Sequence, residues 1–177
     1  MKTLVFKSLL IAGIAAAAML ASCGKDTPTE PTAPDEPAVY DVYAAGRKDN
    51  AAGKWVAMLW KNGTPQELSD GKTRAEAVSI AVAGNDVYVA GYKQNAAGKH
   101  VATLWKNGTP QELSDGKTSA FANSIAMAGN DVYVAGYKCN AAGKNVAMLW
   151  KNGTPQEVSD GVTPALANAV AVAKRMK

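Results

Sequence analysis

The thirteen residues LWKNGTPQELSDG occupy positions 59–71 and recur unchanged at 104–116. They return at 149–161 with Val158 in place of leucine. Around them Val42, Val87 and Val132 open three units of 45 residues, and Trp60, Trp105 and Trp150 keep one offset in all three. A period of this length marks architectures in which one supersecondary unit stacks against its own copies. No single unit of that size can bury its apolar face alone, so each copy supplies the surface that covers the next.

Within a unit the strand signals are clear, and the second unit with the residues just before it serves as the example. SIAVAG (79–84), DVYVAGY (86–92), HVATLW (100–105) and TPQELS (109–114) are short runs rich in β-branched and aromatic residues. They are called strands a, b, c and d here. Asn107-Gly108 between c and d is the signature of a two-residue type I′ hairpin, which needs positive φ twice. No segment outside the N-terminus shows a helical period. Four short strands per 45 residues predict an all-β protein, a β-propeller-type array of four-stranded blades. Small residues on strand a suit a crowded axis, and the Trp and Tyr residues of b and c suit the space between blades.

The first unit begins at strand b, and ANAVAVA (167–173) is a strand a without its own b, c and d. That offset predicts closure by C-terminal strand exchange, with residues 167–173 completing the first blade. Three blades make a tight ring, since propellers typically have four to eight. Three readings stay open: a six-bladed ring formed by a homodimer, a shortened copy of a longer array, or an open array with exposed edges.

The N-terminus carries an address. MKTLVFKSLLIAGIAAAAMLASC has a basic start, an apolar run from Leu9 to Leu20 and small residues before Cys23. That is the anatomy of a signal peptide over residues 1–22. Leu20-Ala21-Ser22-Cys23 resembles the lipobox of bacterial lipoproteins. The resemblance implies cleavage before Cys23 and attachment of lipid, including an amide-linked acyl chain such as palmitate, to that residue. Two or more chains would anchor it stably in a membrane, where one holds only marginally. No Asp follows Cys23 directly, so the resemblance points to the outer membrane of a Gram-negative cell envelope, with the surface and periplasmic faces both open. Residues 23–37 then form a linker in which Pro28, Pro31, Pro34 and Pro37 stand three apart, the period of polyproline II. Fourteen such residues span roughly 40 Å. The repeat domain is expected over residues 38–177.

Ala102-Thr103-Leu104-Trp105-Lys106-Asn107-Gly108, then Leu113, Ala122-Asn123-Ser124-Ile125 and Val132-Tyr133-Val134-Ala135-Gly136, resemble the HAF-type extracellular repeat. The likeness covers about residues 42–173. It implies propeller blades and an extracytoplasmic location, and no particular activity.

The composition excludes a strong electrostatic partner. The formal charge is +4. Without Lys2 and Lys7 of the signal segment, 17 basic and 15 acidic groups remain, a net of +2. The lysines are spread along the repeats, so no nucleic-acid partner is expected.

Catalysis needs a unique constellation, and a repeat exposes unique residues. His100 is the sole histidine, with Trp55 and Asn145 at the equivalent positions, and Cys139 replaces Asp49 and Gln94. No zinc site can be built from one His and one unlipidated Cys, and no cofactor is expected. DGKT at Asp70 and Asp115 lacks the upstream glycine of a phosphate loop and is expected to be a turn. Glu67, Glu112, Glu157, Asp70, Asp115 and Asp160 repeat with the period, which argues for solvated or turn-capping acids rather than a converging pair. The a–b and c–d turns barely vary, whereas differences gather at the opposite end. There Trp55, His100 and Asn145 replace one another, as do Arg74, Ser119 and Pro164, and Glu76, Phe121 and Leu166. A constant end and a variable end suit a binding or scaffold module for a glycan or protein, with Trp55, Arg74, His100 and Phe121 as candidate ligand-binding residues and no catalytic residue. The alternatives are a polysaccharide-acting enzyme on the same scaffold, or a truncated repeat protein without independent function.

Overall fold

A computed structural model describes residues 38–176. These fold into three antiparallel sheets, with no helix among the described residues. The first sheet has three strands, β1 (Tyr43–Asp49), β2 (Trp55–Lys61) and β3 (Thr64–Glu67). The second has four, β4 (Ala75–Ala83), β5 (Asp86–Gln94), β6 (His100–Lys106) and β7 (Thr109–Glu112). The third repeats it with β8 (Ala120–Ala128), β9 (Asp131–Cys139), β10 (Asn145–Lys151) and β11 (Thr154–Glu157). Each sheet is a simple meander in chain order.

The expected c–d hairpins are present. Asn62, Asn107 and Asn152 have φ of 50°, 51° and 51°, each followed by a glycine with positive φ. The Asn107 side chain also ties this end together: its amide oxygen accepts from the Val87 N–H at 2.8 Å and its amide nitrogen donates to Asp86 at 2.7 Å. At the opposite end Asn95 plays the matching part. It accepts from the Lys99 N–H at 2.9 Å and donates to the Gly116 carbonyl at 3.0 Å, joining the b–c turn to the d–a connection. Asn50 and Asn140 make the same bonds in their units.

Two inter-sheet cores follow from strand alternation, which sends neighbouring residues to opposite faces. Val89 and Trp105, paired across β5 and β6, face the first sheet and share a buried cluster with Ala57, Leu59 and Leu68. Ala90 and Leu104, the next pair along, face the other way and meet Trp150 and Val134 of the third sheet. Trp105 and Trp150 are the largest fully buried side chains. They are inter-sheet packing, as expected, and not exposed platforms.

Two expectations need correction. The first strand of a unit is longer than 79–84: β4 starts at Ala75, because a bulge between Ala77 and Ser79 interrupts the alternation without ending the pairing. And the sheets do not close. The first sheet keeps three strands, and residues 167–173 form no ladder with it. Their stretch lies along the third sheet instead, where the Ala165 N–H donates to the Asn145 carbonyl at 2.9 Å and the Val170 N–H to Ser124 Oγ at 3.2 Å. The repeat dictates where that segment packs, and it packs on the sheet that precedes it.

Candidate functional site

The variable end forms a continuous row of aromatic and cationic side chains that crosses both sheet interfaces. It starts at Arg47 on β1, whose guanidinium lies 3.4 Å from the ring centroid of Trp55, the first residue of β2. Arg74, just before β4, approaches the same ring at 5.0 Å. Glu76 on β4 receives Arg47 at 3.2 Å and the Tyr92 hydroxyl at 2.5 Å. Tyr92 then meets His100 edge-on at 5.2 Å and Phe121 at 4.9 Å. His100 and Phe121 are 4.7 Å apart, and Phe121 stacks on Tyr137 at 4.8 Å. Each aromatic pair of this kind adds about 0.5–1.5 kcal/mol beyond its buried area.

Strand geometry gathers these residues. Arg47, Tyr92 and Tyr137 hold one position on the second strand of their units, and Trp55, His100 and Asn145 open the third. Phe121 reaches across from β8 to touch Tyr92 and His100 of the second sheet. The four residues singled out from sequence therefore come together as two pairs, Trp55 with Arg74 and His100 with Phe121, bridged through Tyr92 and Glu76. Cys23 lies outside the described residues.

Arg47, Tyr92 and Tyr137 were not anticipated. They lie inside strands, away from the connections at which the copies differ most visibly. The signal was available: Arg47 against Tyr92 is one of the few differences between the first two units. The differences are coupled in space. Where the first unit has Arg47 on one strand, the next strand a carries Glu76; where the second has Tyr92, the next carries Phe121.

Within this row one cation is spare. Arg47 and Glu76 compensate each other, while Arg74 has no carboxylate partner among the described residues. Two causes lower the His100 pKa below its ordinary 6.5, first burial and second the positive charge of Arg74. Burial and the Glu76 carboxylate together push the Tyr92 hydroxyl far above its ordinary range, so it stays a donor. As the sole histidine, His100 gives a single imidazole resonance set. Its NMR titration should fall below 6.5, and Arg74→Ala should move it upward. The sign for stability follows. The unfolded chain takes up the proton first as pH falls, so this contribution is complete above about pH 6.5 and is lost on acidification below it. A titration at or above 6.5 would show that Arg74 and the neighbouring rings do not enclose His100.

Elsewhere a cleft of about 570 Å³ opens between the d–a connection of the second unit and the third sheet, lined by Leu113, Asp115, Cys139, Trp150 and Glu157 among others. A smaller version, about 360 Å³, recurs one unit earlier beside Leu68, Asp70, Trp105 and Glu112. Its recurrence marks it as a product of how the sheets stack. The periodic acids sit at such rims, with Asp70 and Asp115 capping turns and Glu67, Glu112 and Glu157 paired with Lys48, Lys93 and Lys138.

The site and fold define a repetitive all-β protein with one variable, aromatic-rich end. No protein-family model matches the chain, and no curated protein matches it.

Proposed function

We propose that this chain is a lipid-anchored cell-envelope protein whose β-propeller-type repeats present a binding face, without catalysis, to a glycan or a protein. The observation that carries the reading is the row from Arg47 through Trp55, Arg74, Tyr92, His100 and Phe121 to Tyr137, which spans both sheet interfaces at the end where the copies differ. The opposite end repeats the same Asn, Asp and Lys contacts in every unit and offers nothing distinctive. The rings of the row are half-buried; Phe121 and Tyr137 are stacked, Tyr92 meets His100 and Phe121 edge-on, and Arg47 covers the Trp55 ring. What the row offers a ligand is the Arg74 guanidinium beside the half-buried Trp55, His100 and Phe121 rings. Such a surface favours ligands rich in acceptor oxygens, which both glycans and acidic peptide segments supply. Anchoring through Cys23 and the Pro-rich linker would hold this face away from a membrane. The absence of a unique acid pair or His cluster in the sequence favours binding over turnover.

The test is binding of the full chain to glycan and peptide arrays, repeated with Trp55→Ala, Arg74→Ala and His100→Ala. Each truncation is expected to weaken binding about tenfold or more, the loss of a contact near 1.4 kcal/mol. Binding unchanged in all three would remove this end from the function. Turnover of a polysaccharide by the purified chain would replace the binding reading with the enzymatic one.

A further inference from the structure

We propose that two copies of this chain complete one another: residues 165–173 of one copy supply the innermost strand of the three-stranded sheet of the other. The inference concerns assembly and does not depend on the ligand-binding reading. In the second and third sheets the first strand has two roles at once. It packs on the preceding sheet and it pairs with the second strand of its own. Residues 165–173 fill only the first role. Ala165, Ala167 and Val170 are the half-buried positions, matching Ala75, Ala77 and Ile80 of β4. The Val170 N–H donates to Ser124 Oγ as the Ile125 N–H donates to Ser79 Oγ, both at 3.2 Å. The outer edge of this segment has no strand partner among the described residues, and neither has the free edge of β1.

The repeat fixes how the two edges would meet. Transferring the β4–β5 register by whole units places Ala165 opposite Lys48, Ala167 opposite Gly46, Val170 opposite Ala44 and Val172 opposite Val42. Gly46 is the telling position. At Gly91 and Gly136 a Cβ would collide with the carbonyl oxygens of Glu76 and Phe121, where the strand bulges toward its neighbour. At Gly46 the nearest obstacle is the Trp60 ring at 3.3 Å. Among the described residues no backbone carbonyl meets Gly46, and in the transferred register the Leu166 carbonyl of the second copy takes that place.

The faces match as well as the edges. Leu68 and Leu113 are 6% and 5% exposed because the next sheet covers them, while their equivalent Val158 is 52% exposed. Trp105 and Trp150 are buried against a preceding sheet, while Trp60 is only half-buried. Val42 is 67% exposed where Val132 is 7%. Apposing the first sheet of one copy to the third sheet of the other would continue the interface that already exists twice within the chain. Reciprocal donation makes this a closed pair with twofold symmetry and six sheets.

The experiment is disulfide trapping in the full chain with both native cysteines replaced, a Cys23→Ser, Cys139→Ser background. Val42→Cys and Val172→Cys occupy a non-hydrogen-bonded pair in the transferred register, the close kind that a disulfide can span. Each variant is prepared separately, and the two are then mixed and mildly oxidised. The expected result is a covalent dimer in the mixture that neither variant forms alone. Adding Gly46→Ala to the Val42→Cys chain should lower the trapped fraction about tenfold or more, the weakening that about 1.4 kcal/mol produces, while the chain stays folded by circular dichroism. Absence of the dimer would overturn the proposal. So would equal trapping of Val172→Cys by Lys48→Cys, which lies at the wrong end of the register. A chain carrying both cysteines should stop at dimer; a ladder of larger species would overturn the reciprocal form.

Discussion

Gly91→Ala is expected to destabilise the chain by about 3 kcal/mol, the upper part of the range for overpacking a filled site. The cause is backbone against backbone. A Cβ on Gly91 would enter the Glu76 carbonyl oxygen and sit 3.0 Å from the Ala77 Cα. Neither atom belongs to a flexible side chain, so relief requires β4 to leave β5 where the bulge brings them together. Gly136→Ala should behave alike, since its Cβ would meet the Phe121 carbonyl and lie 3.1 Å from the Ala122 Cα. Gly46→Ala is the internal control. It stands at the same place in the repeat with only the edge of an aromatic ring nearby, and its cost should stay below about 1 kcal/mol. Denaturant midpoints of the three variants, taken at high dilution so that association between chains does not contribute, give the comparison. Equal losses at all three positions would mean that the carbonyl across the sheet is not what requires glycine at Gly91 and Gly136.

The same position in three copies with three different neighbours shows what a repeat sequence conveys. It gives each residue's place within a unit. Strands b and c could be located closely because β-branched and aromatic residues alternate there, and the c–d turn because Asn-Gly suits positive φ twice. Strand a was underestimated because its bulge breaks the alternation at Ala77 and Ser79, which leaves the preceding Arg-Ala-Glu-Ala stretch looking like a connection. Trp55, Arg74, His100 and Phe121 stood out because the copies disagree at those positions. Arg47, Tyr92 and Tyr137 did not, because their variation sits inside a strand and acquires meaning only once Glu76 and Phe121 are seen across the interface. Least legible was which unit borders which. Residues 167–173 have the composition of a first strand, but composition does not say whose second strand they join.

The tryptophans turn that distinction into a graded prediction. Trp105→Ala and Trp150→Ala should each cost about 3–5 kcal/mol, the range for removing a large buried aromatic with partial collapse of the cavity. Trp105 fills the space bounded by Ala57, Leu59 and Leu68 of the first sheet, and Trp150 shares the second core with Leu104 and Leu113. Small residues on β4 and β8, Ala75 with Ala77 and Ala120 with Ala122, make room for them and cannot refill the void. The Trp150 indole N–H is buried without a hydrogen-bond partner among the described residues. Trp60 has the same sequence context and, among the described residues, no sheet before it, so Trp60→Ala in the dissociated chain should cost only about 1–2 kcal/mol of lost apolar burial. Against a total stability of about 5–15 kcal/mol, the first two substitutions remove a large share of the fold and the third does not. Thermal unfolding of the three variants reads the order directly. Raising the chain concentration should then widen the penalty at Trp60 alone, since that ring is the one a second copy would cover. A penalty at Trp60 equal to the others in the isolated chain would show that the tryptophans act within their own sheets, and the stacking of unit on unit would have to rest on other residues.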